Sequence, residues 1–84
     1  MSELLSMKTV TVYSRSGCHL CEIAIDRISS VINDYKFTLD IVLIDQNSEL
    51  EKEFGEQVPV ILIDNKIHDY WRVDLERFTK AIKS

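Results

Sequence analysis

Glycine, proline and cysteine are all scarce in this 84-residue chain, with two, one and two residues respectively. So little glycine and proline leaves no room for a long flexible linker, and the length fits one small domain. Two cysteines three positions apart cannot staple a secreted disulfide scaffold. No second C-x-x-C is present to complete a four-cysteine zinc site. No apolar run approaches the ~20 residues that span a bilayer. Basic residues are outnumbered, ten Lys and Arg against fourteen Asp and Glu, for a net charge of −4. That balance argues against nucleic acid or an anionic membrane as a partner. Met1–Met7 has neither a basic start nor a long apolar core, so it does not read as a signal peptide. Residues 1–6 read as an N-terminal extension and residues 7–84 as the domain. A reducing, cytoplasmic setting and a monomer are the expectation. No internal repeat is visible.

What is present is concentrated between Thr9 and Cys21. A β-branched run, Thr9 to Tyr13, ends in the polar turn Ser14-Arg15-Ser16-Gly17. Cys18-His19-Leu20-Cys21 follows, and an amphipathic helical pattern begins with it. The C-x-x-C therefore falls on the first turn of a helix leaving a strand. A helix N-terminus carries free N–H groups and partial positive charge, which favour a thiolate over a thiol. A free cysteine has a pKa of about 8.5, and this setting lowers it to roughly 3.5–7.5. The thiolate is the attacking species in disulfide exchange. Cys18 lies nearest the free N–H groups and is the expected nucleophile. Cys21, one turn further in, is the expected resolving thiol. Arg15 and His19 are candidate thiolate-tuning residues because either would place positive charge beside Cys18. The competing readings are a solvated Arg15, a neutral exposed His19, and a cysteine pair that packs or forms half of a zinc site.

The rest of the chain supplies the frame. The spacing of Leu20, Ala24, Ile28 and Val31 or Ile32 predicts a helix from His19 to about Asn33. Phe37–Asp45 reads as a second strand, with Leu39, Ile41 and Leu43 on one face and Asp40 marking an edge. Strand, helix, strand is a βαβ unit, so these strands should pair in parallel. Ser48-Glu49-Leu50-Glu51 matches a capping box with Ser48 as N-cap, ahead of a short helix stopped by Gly55. Its acidic cluster, Glu49, Glu51, Glu53 and Glu56, reads as a solvated face. Val58–Asp64 is a third strand, Asp64-Asn65-Lys66 a turn, and Ile67–Trp71 a fourth strand antiparallel to the third. Asp74 caps a last helix in which Leu75, Phe78, Ala81 and Ile82 share a face.

This order of elements, with the C-x-x-C and the Val58-Pro59-Val60 segment, resembles a minimal thioredoxin fold. The likeness is greatest to glutaredoxins and compact glutaredoxin-like proteins with a C-H-L-C site, over about Met7 to Lys83. The resemblance implies an α/β fold of order β-α-β-α-β-β-α, a four-stranded mixed sheet with helices on both faces. It implies that Pro59 is cis, and that the backbone of Val58 pairs with an extended substrate. A non-ligating residue at Pro59 also discourages a metal from settling on the dithiol. Three departures stand out. His19-Leu20 replaces the usual Pro-Tyr between the cysteines, and Gln57 replaces the threonine before Val58-Pro59. Trp71-Arg72-Val73-Asp74 replaces a Gly-Gly pair whose open backbone receives a carboxylate of glutathione. Arg72 would receive such a carboxylate by charge. Val12 stands where many thioredoxins carry a buried acid.

The function these features imply is thiol–disulfide oxidoreduction through Cys18 and Cys21, in electron transport and cell redox homeostasis. Protein or low-molecular-weight disulfides would be the substrates, with no bound cofactor. Glutathione or a thioredoxin-reductase-type donor would recycle the dithiol. Two alternatives use the same features: a metal or iron–sulfur module built on the two cysteines, with His19 or His68 contributing, and a thioredoxin-like adaptor without turnover.

Overall fold

The computed structural model describes residues 8–83. The expected extension, residues 1–6, lies outside the described residues. The order is β1 (Thr9–Ser14), α1 (His19–Ser30), α2 (Ile32–Tyr35), β2 (Thr38–Leu43), a 3-10 turn (Ile44–Gln46), α3 (Ser48–Phe54), β3 (Val60–Ile63), β4 (Lys66–Tyr70) and α4 (Leu75–Lys83). The strands form one four-stranded sheet in the order β2-β1-β3-β4. β1 pairs with β2 in parallel, as a βαβ unit requires, and with β3 antiparallel. β3 and β4 form an antiparallel hairpin. Asp64 and Asn65 close it with φ of 50° and 67°, the backbone of a tight primed turn.

Alternation along the strands divides the apolar side chains between two cores. Val10, Val12 and Ile61 pack under α1 and α4 with Ala24, Ile28, Phe78 and Ile82. Val60 and Leu62 pack on the other face with Ile44, Phe54, Val58 and Cys21. β3 is thus buried on both faces, and the sheet has helices on each side. Cys21 belongs to α1 but packs in the α3-side core. The start of α1 therefore sits over the end of the sheet, where the two cores meet.

Three local expectations are corrected. The helix expected to reach Asn33 breaks at Val31, and α2 resumes as one short turn. The Ser30 hydroxyl donates to the Arg27 carbonyl at 2.6 Å, competing with the helix ladder just before two β-branched residues. The second strand stops at Leu43, and Asp45 lies in the 3-10 turn. Ile41 and Leu43 are exposed there, because β2 is an edge strand. The N-cap of α3 is Asn47, not Ser48: its Oδ1 accepts from the N–H groups of Glu49 at 3.1 Å and Leu50 at 3.2 Å. Asp74 caps α4 as expected, accepting from Glu76 and Arg77.

Candidate active site

β1 delivers the chain to the end of the sheet, and the turn Arg15–Gly17 reverses it into α1. Gly17 has φ 74°, a left-handed backbone that glycine adopts without steric cost. The Cys18 N–H donates back to the Arg15 carbonyl at 3.2 Å, which closes the turn. Cys18 is then the extended N-cap of α1, and its carbonyl accepts from Glu22 at 3.1 Å. Its sulfur accepts from the Cys21 N–H at 3.2 Å. Cys18 and Cys21 are joined in a disulfide with Cα atoms 5.2 Å apart. Cys21 is fully buried, whereas Cys18 is half-buried. The fold thus leaves one sulfur approachable and shelters the other, with a helix amide aimed at the approachable one.

Arg15 turns toward α3. Its guanidinium donates to the Gly55 carbonyl at 2.8 Å and pairs with Glu51 at 3.3 Å, so much of its charge is already met. His19 is exposed, and its Nδ1 lies 3.8 Å from Glu22 Oε2. Asp45 accepts from the Ser16 N–H at 3.4 Å. Hydrogen bonding from Ser16, its side chain above all, holds the Asp45 carboxyl below the ordinary carboxylate range.

The peptide bond between Val58 and Pro59 is cis. Val58 shares the apolar cluster that holds Cys21 and contacts Cys18. No described residue hydrogen-bonds to the Val58 N–H or carbonyl. Arg72 lines an open cavity of about 310 Å³ with Arg27, Val73, Asp74 and Leu75. Neither guanidinium has an ion-pair partner among the described residues. The structure therefore brings Val58 to the cysteines, ties Arg15 to α3 and leaves His19 in solvent.

The sequence matches the model of the family described as "Glutaredoxin-like domain (DUF836)" over residues 9–83. The chain belongs to this glutaredoxin-like family. It is 30% identical over 83 residues to an uncharacterized protein, Rv0508, of Mycobacterium tuberculosis, covering 93% of this chain and 86% of that protein. Among solved structures, protein Ne2328 from Nitrosomonas europaea is 27% identical with a TM-score of 0.78, covering 89% of this chain and 91% of that one. Thioredoxin O2 from Arabidopsis thaliana, in its oxidized state, matches at a TM-score of 0.65 and 20% identity, over 93% of this chain and 74% of its own. That last likeness speaks for the thioredoxin fold alone.

Two residues gain roles in this glutaredoxin-like domain that the sequence did not assign. Asp45 holds the active-site turn through Ser16, a contact across 29 positions of sequence. Trp71 holds the segment that carries Pro59. Its N–H donates to the carbonyls of Pro59 at 2.7 Å and Gln57 at 3.3 Å, and its indole Nε1 donates to Glu56 at 3.0 Å. Trp71 also has φ 66°. Pattern and propensity argue against a bulky residue in that conformation.

Proposed function

We propose that this glutaredoxin-like protein is a thiol–disulfide oxidoreductase working through Cys18 and Cys21. The observation that carries the reading is the disulfide at the start of α1, with one sulfur approachable and the other buried. In the reduced form, the Cys18 thiolate attacks one sulfur of a substrate disulfide. The substrate S–S bond breaks, one substrate thiolate leaves, and Cys18 is held in a mixed disulfide. Cys21 gives up its proton to water or His19 and attacks the Cys18 sulfur, releasing the second substrate thiolate. The substrate has gained two electrons and the protein has lost two. The N–H of Cys21 and the partial positive charge of the helix start stabilise Cys18 as attacking and as leaving thiolate. His19 adds to this when protonated, and Arg15 does so to the extent that Glu51 leaves its charge unmet.

Val58 offers an unused backbone edge beside the dithiol, which suits an extended substrate. Arg72 is the proposed receiver of a substrate carboxylate lying further from the sulfurs. Glutathione or a thioredoxin-reductase-type donor returns the two electrons. The setting is cytoplasmic and the protein acts as a monomer, in electron transport and redox homeostasis. No helix among the described residues is long and apolar enough to cross a membrane. No described group of three or more His, Cys, Asp or Glu is placed to hold an ion, so a metal module would need ligands beyond the described residues.

The test is the alkylation rate of each cysteine in the reduced protein against pH, resolved by mass spectrometry. Fast reaction of Cys18 well below pH 8, with slow Cys21, is the expected result. Reaction of both only near the unperturbed value of about 8.5 would mean an inert pair and favour an adaptor. Reactivity appearing only after chelation would favour a metal module.

A further inference from the structure

We propose that Trp71 is the substrate-docking residue, a fixed aromatic platform for an apolar side chain next to the disulfide of an extended polypeptide. The proposal rests on the redox reading above and names its substrate class: protein disulfides with an apolar side chain beside the cysteine. Trp71 is held at three points, through its N–H to Pro59 and Gln57 and through its indole N–H to Glu56. All three bonds use its edge and backbone. The ring itself is left open: the residue is 57% exposed, and its one ring neighbour among the described residues is Tyr70, with centroids 6.1 Å apart. A ring already immobilised loses little further entropy when it is covered.

The backbone adds a second reason. At φ 66° glycine would be relaxed, whereas a large aromatic is held against its preference. Fold stability alone does not call for tryptophan there. The residue is hydrogen-bonded to the Glu56–Pro59 segment that presents Val58 to the dithiol, and Leu20, between the two cysteines, is 54% exposed. Two open apolar side chains thus stand on, or are tied to, the two segments that would face a bound substrate.

The experiment follows single turnovers of the pre-reduced protein. Thiol release is measured with two peptide disulfides that differ only by Leu or Ser next to cysteine, and with glutathione disulfide. The wild-type protein should react about tenfold faster with the Leu peptide than with the Ser peptide, the order expected for one apolar anchor on an aromatic. Trp71→Ala should bring the Leu and Ser peptides to the same rate, whatever its effect on glutathione disulfide, and Trp71→Phe should keep most of the preference. Equal rates for the two peptides, or an equal loss on all three substrates in Trp71→Ala, would overturn the proposal while leaving the redox reading intact. No reaction of the wild type with any of them would end the redox reading and the docking proposal with it. A second measurement does not depend on the alanine variant folding. Trp71 is the only tryptophan, so its emission in the Cys21→Ser variant reports on the platform. It should shift to the blue when that variant is trapped with the Leu peptide and stay unchanged when trapped with glutathione. Identical spectra in the two adducts would count against the platform.

Discussion

The N–H of Cys21 points at the sulfur of Cys18 across 3.2 Å, so the residue proposed to resolve the mixed disulfide also helps to hold the nucleophile. The two cysteines should therefore fail differently. Cys18→Ser should lose turnover and trap no substrate. Cys21→Ser should lose turnover yet accumulate a mixed disulfide, since serine keeps the backbone N–H and removes only the resolving sulfur. Intact-mass analysis after mixing with a peptide disulfide separates the two. Trapping by Cys18→Ser alone would reverse the assignment, and equal trapping by both variants would remove it.

Arg15 anchors the active-site turn to α3 rather than standing free beside the sulfurs. Its bond to the Gly55 carbonyl is part-buried, while its contact with Glu51 is at the surface. Arg15→Met should lower stability by about 1–2 kcal/mol, the value of a hydrogen bond from a charged donor reduced for partial exposure. Glu51→Gln should cost no more than about 0.5 kcal/mol, as exposed ion pairs do. Urea melts of the two variants test the ranking. A larger loss for Glu51→Gln would contradict it.

Asp64 opens the β3–β4 turn and also reaches β1. Its Oδ1 accepts from the Thr9 N–H at 2.9 Å, and its own N–H donates to the Thr9 carbonyl at 2.8 Å. Its φ of 50° suits Asp or Asn better than alanine. Asp64→Ala should cost about 1–2 kcal/mol, and Asp64→Asn less than half as much, because the amide oxygen still accepts. Thermal melts decide, and equal losses would show that the charge matters more than the turn.

His68 gives the fold a pH dependence. Its Nε2 is buried without a hydrogen-bond partner among the described residues, and its ring lies edge-on to Phe78 at 6.2 Å. Burial, helped by Arg77, pushes its pKa below the ordinary 6.5, while Asp69 and Asp74 oppose the shift. The unfolded chain therefore binds the proton first as pH falls. The neutral form's advantage is complete above about pH 6.5, shrinks as pH drops below it, and is gone once the folded state also titrates. Asp45, whose pKa is also lowered, acts in a more acidic window: its stabilisation is present above the ordinary carboxylate value and is lost below it. His68→Leu should flatten the fall in melting temperature between about pH 7 and pH 5. An unchanged profile would mean that His68 does not carry it.

Most of the frame was legible because it rests on local periodicity. Val10 and Val12 alternate, and Ala24 and Ile28 recur at helical spacing; these patterns place β1 and α1 before any contact is known. Errors fell where two local signals compete. Asn47 and Ser48 are both good caps, and the choice followed from where the 3-10 turn left the chain. Ser29-Ser30-Val31 reads as a tolerable helix segment until the Ser30 hydroxyl takes the Arg27 carbonyl.

The sequence by itself determined the dithiol. Cys18 and Cys21 are three positions apart at the start of a helix, so their reach and the helix amides come from local geometry. It also determined the order of strands and helices, because each element carries its own period. Only the tertiary structure decided what surrounds the sulfurs. Arg15 meets Gly55 and Glu51 across 40 and 36 positions, and Ser16 meets Asp45 across 29. Trp71 closes on Glu56, Gln57 and Pro59 through a backbone conformation that its own preference opposes. Such contacts depend on how the β3–β4 hairpin and α3 come to rest against the end of the sheet. Many weak packing terms fix that arrangement together, and no short stretch of sequence contains it.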